Sequence, residues 1–215
     1  MIGYVESEPA LVIDDFLIIS DLHIGFEEEL KKEGYNVPWQ TKNFVKKIKN
    51  LKQRTRCAKL IILGDVKHSI SLFPRMELQV FFNMIAEIFN EIIIVKGNHD
   101  GLIERITENY ANISVVPEFL YKDYLFIHGH KKTKLLDKAK VLLIGHFHSM
   151  YMFKDVLGRN ARKPSWKIFD FKDKNIKVIS FPSFNDYFSG GSKTGPYSKY
   201  LELKEVLTLD LVKLV

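Results

Sequence analysis

Five short apolar runs in this chain are each followed closely by histidine, and that arrangement limits the fold more than any other feature. The runs are Phe16–Ile19, Leu60–Leu63, Ile92–Val95, Tyr124–Ile127 and Val141–Ile144, and none alternates polar with apolar residues. A strand exposed on one face alternates with a period of two, so these runs fit strands covered on both faces. All seven histidines lie within five residues after the end of a run: His23, His68, His99, His128 with His130, and His146 with His148. Two other apolar runs, Ala10–Ile13 and Met150–Phe153, are followed by none. In open α/β sheets the carboxyl ends of the strands lie where loops converge on a ligand. The histidines are therefore expected to share one site.

The order of elements follows from the same pattern. Helical periodicity runs from Gln40 to about Arg54 and from Glu77 to about Phe89, between the first three runs. Strand, helix, strand, helix, strand describes βαβ units and a parallel sheet, at least in the first half. After about residue 150 the chain becomes mostly β, with runs at Lys167–Phe171, Ile176–Phe181 and Val206–Val215 and hairpin spacing around Lys172–Asn175. No repeat, low-complexity tract or linker occurs before residue 189, so the expectation is one domain over residues 1–215.

Composition narrows the class. With 46% hydrophobic and 13% aromatic residues the chain can bury a core without disulfides. The lone Cys57 cannot bridge internally, which points to a reducing cytoplasm. No apolar run exceeds four residues, and the first fifteen residues carry Glu6, Glu8, Asp14 and Asp15, so neither a membrane span nor a signal peptide is expected. The net charge is +6, and eight Lys or Arg with no acid fall between Lys42 and Lys59. Phe44, Val45, Ile48 and Leu51 sit at helical spacing there, which makes the lysines the solvated face of an amphipathic helix. Charge alone assigns no nucleic-acid partner.

The same windows hold Asp21, Asp65, Asn98 and Asp100. "SDLH" sets a carboxylate and an imidazole two residues apart, and "GHFH" repeats the spacing with two imidazoles. Imidazole and carboxylate together suit Mn, Fe or Zn, while a single cysteine excludes a thiolate cage. Asp21, His23, Asp65, Asn98, His128, His146 and His148 are seven donors, more than one ion with an open position can use. Two ions fit, with one carboxylate between them. A pair about 3.5–4 Å apart can activate a shared water and steady a phosphoryl centre during in-line attack. Phosphate ester hydrolysis is the leading chemistry.

The ordered series "DLH" (21–23), "GD" (64–65), "GNHD" (97–100), "HGH" (128–130) and "GHFH" (145–148) resembles the calcineurin-like metallophosphoesterase superfamily. The resemblance implies an α/β fold, a four-layer αββα sandwich of two mixed β-sheets flanked by helices. It implies two divalent ions, manganese first, with iron, zinc or nickel as alternatives. Asp21, His23 and His148 would hold the first ion and Asn98, His128 and His146 the second, with Asp65 bridging. His99 would reach the substrate phosphate and leaving oxygen, and Asp100 would hydrogen-bond His99 to fix its orientation. "GDVKH", and "FPSFND" followed by "GG", are similar to a small archaeal branch related to SbcD-type nucleases and Icc-type phosphodiesterases.

Some features stay open at this level. His68 and His130 are divided between touching substrate and a supporting or purely structural role. "GGSKTG" (190–195) lacks the spacing of a phosphate-binding P-loop and reads as a loop carrying Lys193, with Tyr197 beyond it. "FPSFNDYF" (181–188) reads as core packing plus a turn. The expected function is hydrolysis of phosphodiesters of nucleotide or nucleic-acid type. The alternatives are a phosphomonoesterase with the same centre and a non-catalytic nucleic-acid-binding or scaffold protein. Nothing in the sequence fixes the oligomeric state.

Overall fold

A computed structural model describes residues 2–69, 75–188 and 195–210. Two mixed sheets pack face to face. The first has the order β1 (Ile2–Tyr4), β2 (Leu11–Ile13), β3 (Phe16–Ile19), β4 (Lys59–Ile62), β5 (Glu91–Val95), β6 (Ile113–Val116). Strands β3 to β6 run parallel, as the βαβ order requires, and β1 and β2 add an antiparallel edge. The second sheet has the order β10 (Met150–Lys154), β11 (Asn160–Phe171), β12 (Lys177–Ser180), β9 (Val141–Ile144), β8 (Tyr124–Ile127), β7 (Phe119–Tyr121), with β13 (Leu201–Thr208) paired to β11. Only β8, β9 and β12 are mutually parallel there.

The missing alternation in the apolar runs has a direct explanation: both faces of these strands are buried. Phe16, Ile18, Ile61, Leu63 and Ile93 point between the sheets, against Phe126, Leu143, Trp166 and Phe181. Their neighbours Leu17, Ile19, Leu60, Ile62, Ile92 and Ile94 point outward, under helices α2 (Thr41–Thr55) and α3 (Arg75–Ala86). Each such side chain contributes about 1.5–3 kcal/mol by leaving water. Helix α2 buries Phe44, Val45, Ile48 and Leu51, and part of its basic face is neutralised, Lys47 and Arg54 both reaching Glu8 at 3.6 and 3.4 Å. Two short helices, α1 (Glu27–Lys32) and α4 (Glu104–Thr107), escaped the periodicity because each spans fewer than two turns. Over the second sheet the fourth layer is thin. Among the described residues it comprises 3₁₀ turns at Leu136–Lys138 and Gly195–Tyr200, which set Leu136 and Tyr197 on Leu125, Ile127, Phe169 and Phe171.

Register aligns the strand ends. Ile19 pairs with Ile62, Ile62 with Ile94, and Ile127 with Ile144, so the loops that follow leave along one edge of the sandwich. The two sheets meet there: the Asp21 amide donates to Gly64 O at 3.2 Å, and the His146 amide donates to both Asp21 carboxylate oxygens at 3.1 Å. The segment 189–194, which contains most of "GGSKTG" with Lys193, lies outside the described residues, as do residues 211–215 of the expected last strand. Tyr197 is buried in a 3₁₀ turn.

Candidate metal centre and active site

All seven candidate ligands come together at this edge, and most of them take unusual backbone to do so. Asp21 (φ 57°), His23 (φ 49°), Asp65 (φ 46°), His146 (φ 68°) and His148 (φ 42°) are all left-handed, half of the ten non-glycine residues so described. An L-residue costs about 1–2 kcal/mol in that conformation. Strain of this kind, gathered in one place, marks a site where side chains have been re-aimed at the end of regular structure.

The glycines of the motifs leave room for this crowding. A Cβ on Gly64 would lie 2.4 Å from His128 Nδ1, one on Gly97 would lie 2.2 Å from Asp65 Oδ1, and one on Gly145 would lie 2.1 Å from Ser20 Oγ. "GD", "GNHD" and "GHFH" thus interlock through their glycines.

Two groups of ligand atoms form among the seven candidates, each within 4.8 Å: Asp21 with His23 and His148, and Asp65 with His128 and His146; a third group of the same tightness joins His23 to His68 and His99. In the first, His148 Nε2 lies 3.4 Å from Asp21 Oδ1 and 3.2 Å from His23 Nε2. In the second, His128 Nδ1 donates to Leu63 O at 2.9 Å, which turns Nε2 toward Asn98 Oδ1 and Asp65 Oδ2, both at 3.1 Å. In the first group two Nε2 atoms face each other beside a carboxylate, which suits a cation between them, and the second gathers imidazole, amide and carboxylate donors, so the donors fit divalent metal. Asp65 Oδ2 also lies 3.9 Å from His23 Nε2, between the two groups.

Electrostatics agree with the geometry. Burial resists charge on Asp65, yet its hydrogen bond with His128 and the charge of His128 hold the carboxyl well below its usual range. Burial likewise opposes charge on His128, but Asp65 and Asp21 outweigh it and push the ring up to about 9. His23 is pushed down to about 3 by burial, which leaves it neutral and able to ligate.

The structure corrects one expectation. Asp100 does not orient the His99 ring. It is fully buried, with Oδ1 accepting from the Val66 amide at 2.9 Å and the Lys67 amide at 3.3 Å, and Oδ2 from the Gly97 amide at 2.8 Å. The ring of His99 is held instead by the backbone, its Nδ1 donating to the His68 carbonyl. The reason is local: Asp100 begins a turn that folds it back onto amides left open after β4 and β5, so its oxygens are spent before they reach a neighbour in sequence. His68 therefore supports His99 through its carbonyl, while its own ring pairs with Glu29. His130 stands 5.3 Å from the His128 ring, half-buried, and burial followed by the charge of His128 pushes it down to about 4.

Several contributors had little sequence signal. Lys67 is fully buried, and its ammonium donates to the carbonyls of Ser69 and His99; a lysine in "GDVKH" gives no hint of burial. Phe188 stacks on His23, with centroids 4.4 Å apart and planes at 21°. Ser20 donates to Asp21 Oδ2. In "FPSFND", Phe181 and Phe184 are core, as expected, but Ser183 Oγ donates to Asp21 O and Asn185 Nδ2 to Leu22 O, both at 2.9 Å, which tethers the "DLH" loop.

The sequence pattern of the calcineurin-like phosphoesterase family matches residues 15–212, which span every ligand loop. The chain belongs to that family. As a calcineurin-like phosphoesterase it is a hydrolase of phosphate esters, in a family that uses divalent metal ions. No curated protein matches it by sequence. Among solved structures, it is similar to the nuclease MPE of Pseudomonas putida at 20% identity, over 99% of this chain and 94% of that one, with a TM-score of 0.66. It is also similar to Yfce, a phosphoesterase of E. coli, at 16% identity over 93% and 96% of the two chains, with a TM-score of 0.48. Of the two, the likeness to the nuclease shows a shared fold. No helix among its described residues is long and apolar enough to cross a membrane.

Proposed function

We propose that the protein, acting as one domain in a reducing cytoplasm, hydrolyses phosphodiesters of nucleotide or nucleic-acid type with two divalent ions, manganese first. The observation that carries the two-ion reading is the place of Asp65, whose Oδ2 lies 3.1 Å from His128 Nε2 and 3.9 Å from His23 Nε2, between two ligand groups that share no residue. Asp21, His23 and His148 would hold one ion; Asn98, His128 and His146 would hold the other. When bound, such a pair polarises the phosphoryl oxygens and lowers the pKa of water.

The chain's own residues do the rest. Water adds to phosphorus opposite the leaving oxygen and gives up a proton to solvent, the bond to the leaving oxygen breaks, and the departing alkoxide takes a proton. His99 is placed to give it. With Nδ1 committed to the His68 carbonyl, Nε2 is the nitrogen left for a substrate oxygen. The His99 amide donates to Asp65 Oδ1 at 2.9 Å, so the acid and the bridging carboxylate are built on one frame. Asp100 and Lys67 fix that frame by tying the Val66, Lys67 and Gly97 amides and the His99 carbonyl.

Metal analysis after loading with Mn²⁺, paired with turnover of bis-p-nitrophenyl phosphate and p-nitrophenyl phosphate, tests the reading. Two ions per chain and faster hydrolysis of the diester are expected. One ion, or a preference for the monoester, would overturn the corresponding half. The monoester alternative keeps the same centre and differs only in the walls of the cleft.

A further inference from the structure

The two flanks of the centre differ in chemistry. Around His99 the wall is aromatic and imidazole: Phe188 stacks on His23, and its ring lies 5.3 Å from that of His68. Beside Asn98 and His128, on the other flank, opens a cleft of about 510 Å³ between Pro117–Glu118 and the loop 129–134. Four lysines line it, Lys96, Lys131, Lys132 and Lys134, against one carboxylate, Glu118.

These cations are not equally committed. Lys96 pairs with Glu104, and Lys132 lies 5.3 Å over the Tyr200 ring. Glu118 accepts from the Thr133 hydroxyl. Among the described residues, Lys131 and Lys134 have no carboxylate partner. Yet the loop that carries them is firmly held. The buried Tyr197 hydroxyl accepts from the Thr133 amide at 2.7 Å and donates to Lys131 O at 3.3 Å, and the Leu135 amide donates to Thr133 Oγ1 at 2.9 Å. An anionic ligand therefore meets these exposed cations without first having to order the loop that carries them.

A small phosphate ester carries its charge on the group being hydrolysed, between Asp65 and the histidines. It has nothing to offer Lys131 and Lys134. A substrate with further negative charge at intervals along a chain does, and a strand of nucleic acid flanks every phosphodiester with another. We infer that this cleft binds the backbone of single-stranded nucleic acid on the side of the scissile bond away from His99, with Lys131 and Lys134 against the neighbouring phosphates. The inference rests on the phosphodiesterase reading above.

The test compares wild type with the Lys131→Ala/Lys134→Ala and Lys131→Glu/Lys134→Glu variants, in Mn²⁺, on bis-p-nitrophenyl phosphate and on a short labelled oligodeoxythymidine. The small diester should be turned over within a factor of two of wild type. On the oligonucleotide, kcat/KM should fall about 10-fold for the alanine pair and further for charge reversal, with the loss in KM. Oligonucleotide binding, followed by anisotropy, should lose about 1.4 from its log–log salt slope, roughly 0.7 for each phosphate contact removed. Equal losses on both substrates, or none on the oligonucleotide, would overturn the assignment, as would polyglutamate competing as well as oligodeoxythymidine. A wild type that hydrolyses neither ester, yet binds the oligonucleotide through these two lysines, would leave the cleft assigned and defeat the hydrolytic reading instead.

Discussion

Gly97→Ala isolates the effect of a single methyl group on the centre. Gly97 has no left-handed backbone angle, so alanine brings no conformational penalty there and the cost is purely one of space. The added Cβ would lie 2.2 Å from Asp65 Oδ1 and 2.4 Å from the Asp65 backbone nitrogen, where real Cβ contacts stay above 3.0 Å. The carboxylate could swing away, but the backbone nitrogen cannot. The "GD" and "GNHD" loops must therefore separate by at least half an ångström, pulling Asp65 from Asn98 and stretching the bonds from the Val66 and Lys67 amides to Asp100 and from the His99 amide to Asp65. Overpacking of this kind costs about 1–3 kcal/mol, and a shift approaching 1 Å at a reacting centre costs about 10²-fold in rate. Chemical denaturation of the metal-free protein measures the first quantity, and turnover of bis-p-nitrophenyl phosphate with metal analysis measures the second. Gly3→Ala is the control, since its Cβ would meet nothing closer than 3.9 Å. If Gly97→Ala kept wild-type stability within about 0.5 kcal/mol and full metal content, far less than overpacking predicts, the close interlock of the loops would be refuted.

Other outcomes follow from the same geometry. Asp65→Asn should lower occupancy of both metal positions by elemental analysis, because it removes charge from the carboxylate between the two groups. His99→Ala should keep its metal and lose roughly 10²–10⁴-fold in kcat, the size of a lost acid; an emptied centre would show that His99 is a ligand. Removing metal with a chelator should lower the unfolding midpoint, since an ion at 100 times its dissociation constant stabilises by about 2.7 kcal/mol. For Asp100, burial and then the charge of Asp65 push the carboxyl up to about 6, above the unfolded value of about 3.9. Its protonation thus stabilises the metal-free fold fully below about pH 4, and that stability is lost as pH rises through 6. Relative to Asp100→Asn, wild type should lose on the order of 2 kcal/mol between pH 4 and 7 in denaturation titrations; a flat difference would argue against it.

Much of the site could be read in the sequence because it lies at strand ends. A run covered on both faces announces itself by apolar residues without alternation, and the polar residues that follow must emerge at its end, so His23, Asp65, Asn98, His128 and His148 could be gathered before any coordinates. Helix α2 was equally legible, since Phe44, Val45, Ile48 and Leu51 keep one face apolar over about two turns. Lys67 was not legible, because whether an ammonium is buried depends on which carbonyls the fold brings to it, and those of Ser69 and His99 reach it only in the folded loops. The same holds for Ser183 and Asn185, which act on a loop about 160 residues away.

The order of apolar runs and of imidazole and carboxylate side chains by itself determined the parallel strands of the first sheet and which side chains gather at the strand ends, because burial on two faces and strand ends are local properties of sequence; the pairing of a second, mixed sheet against the first was not in the runs. Only the tertiary structure decided how those members are held: that Asp100 serves backbone amides, that the His68 carbonyl orients His99, and that Lys131 and Lys134 have no carboxylate partner among the described residues. Hydrogen-bond partners and uncompensated charges are set by distances between loops remote in the chain, and no spacing within a motif encodes them.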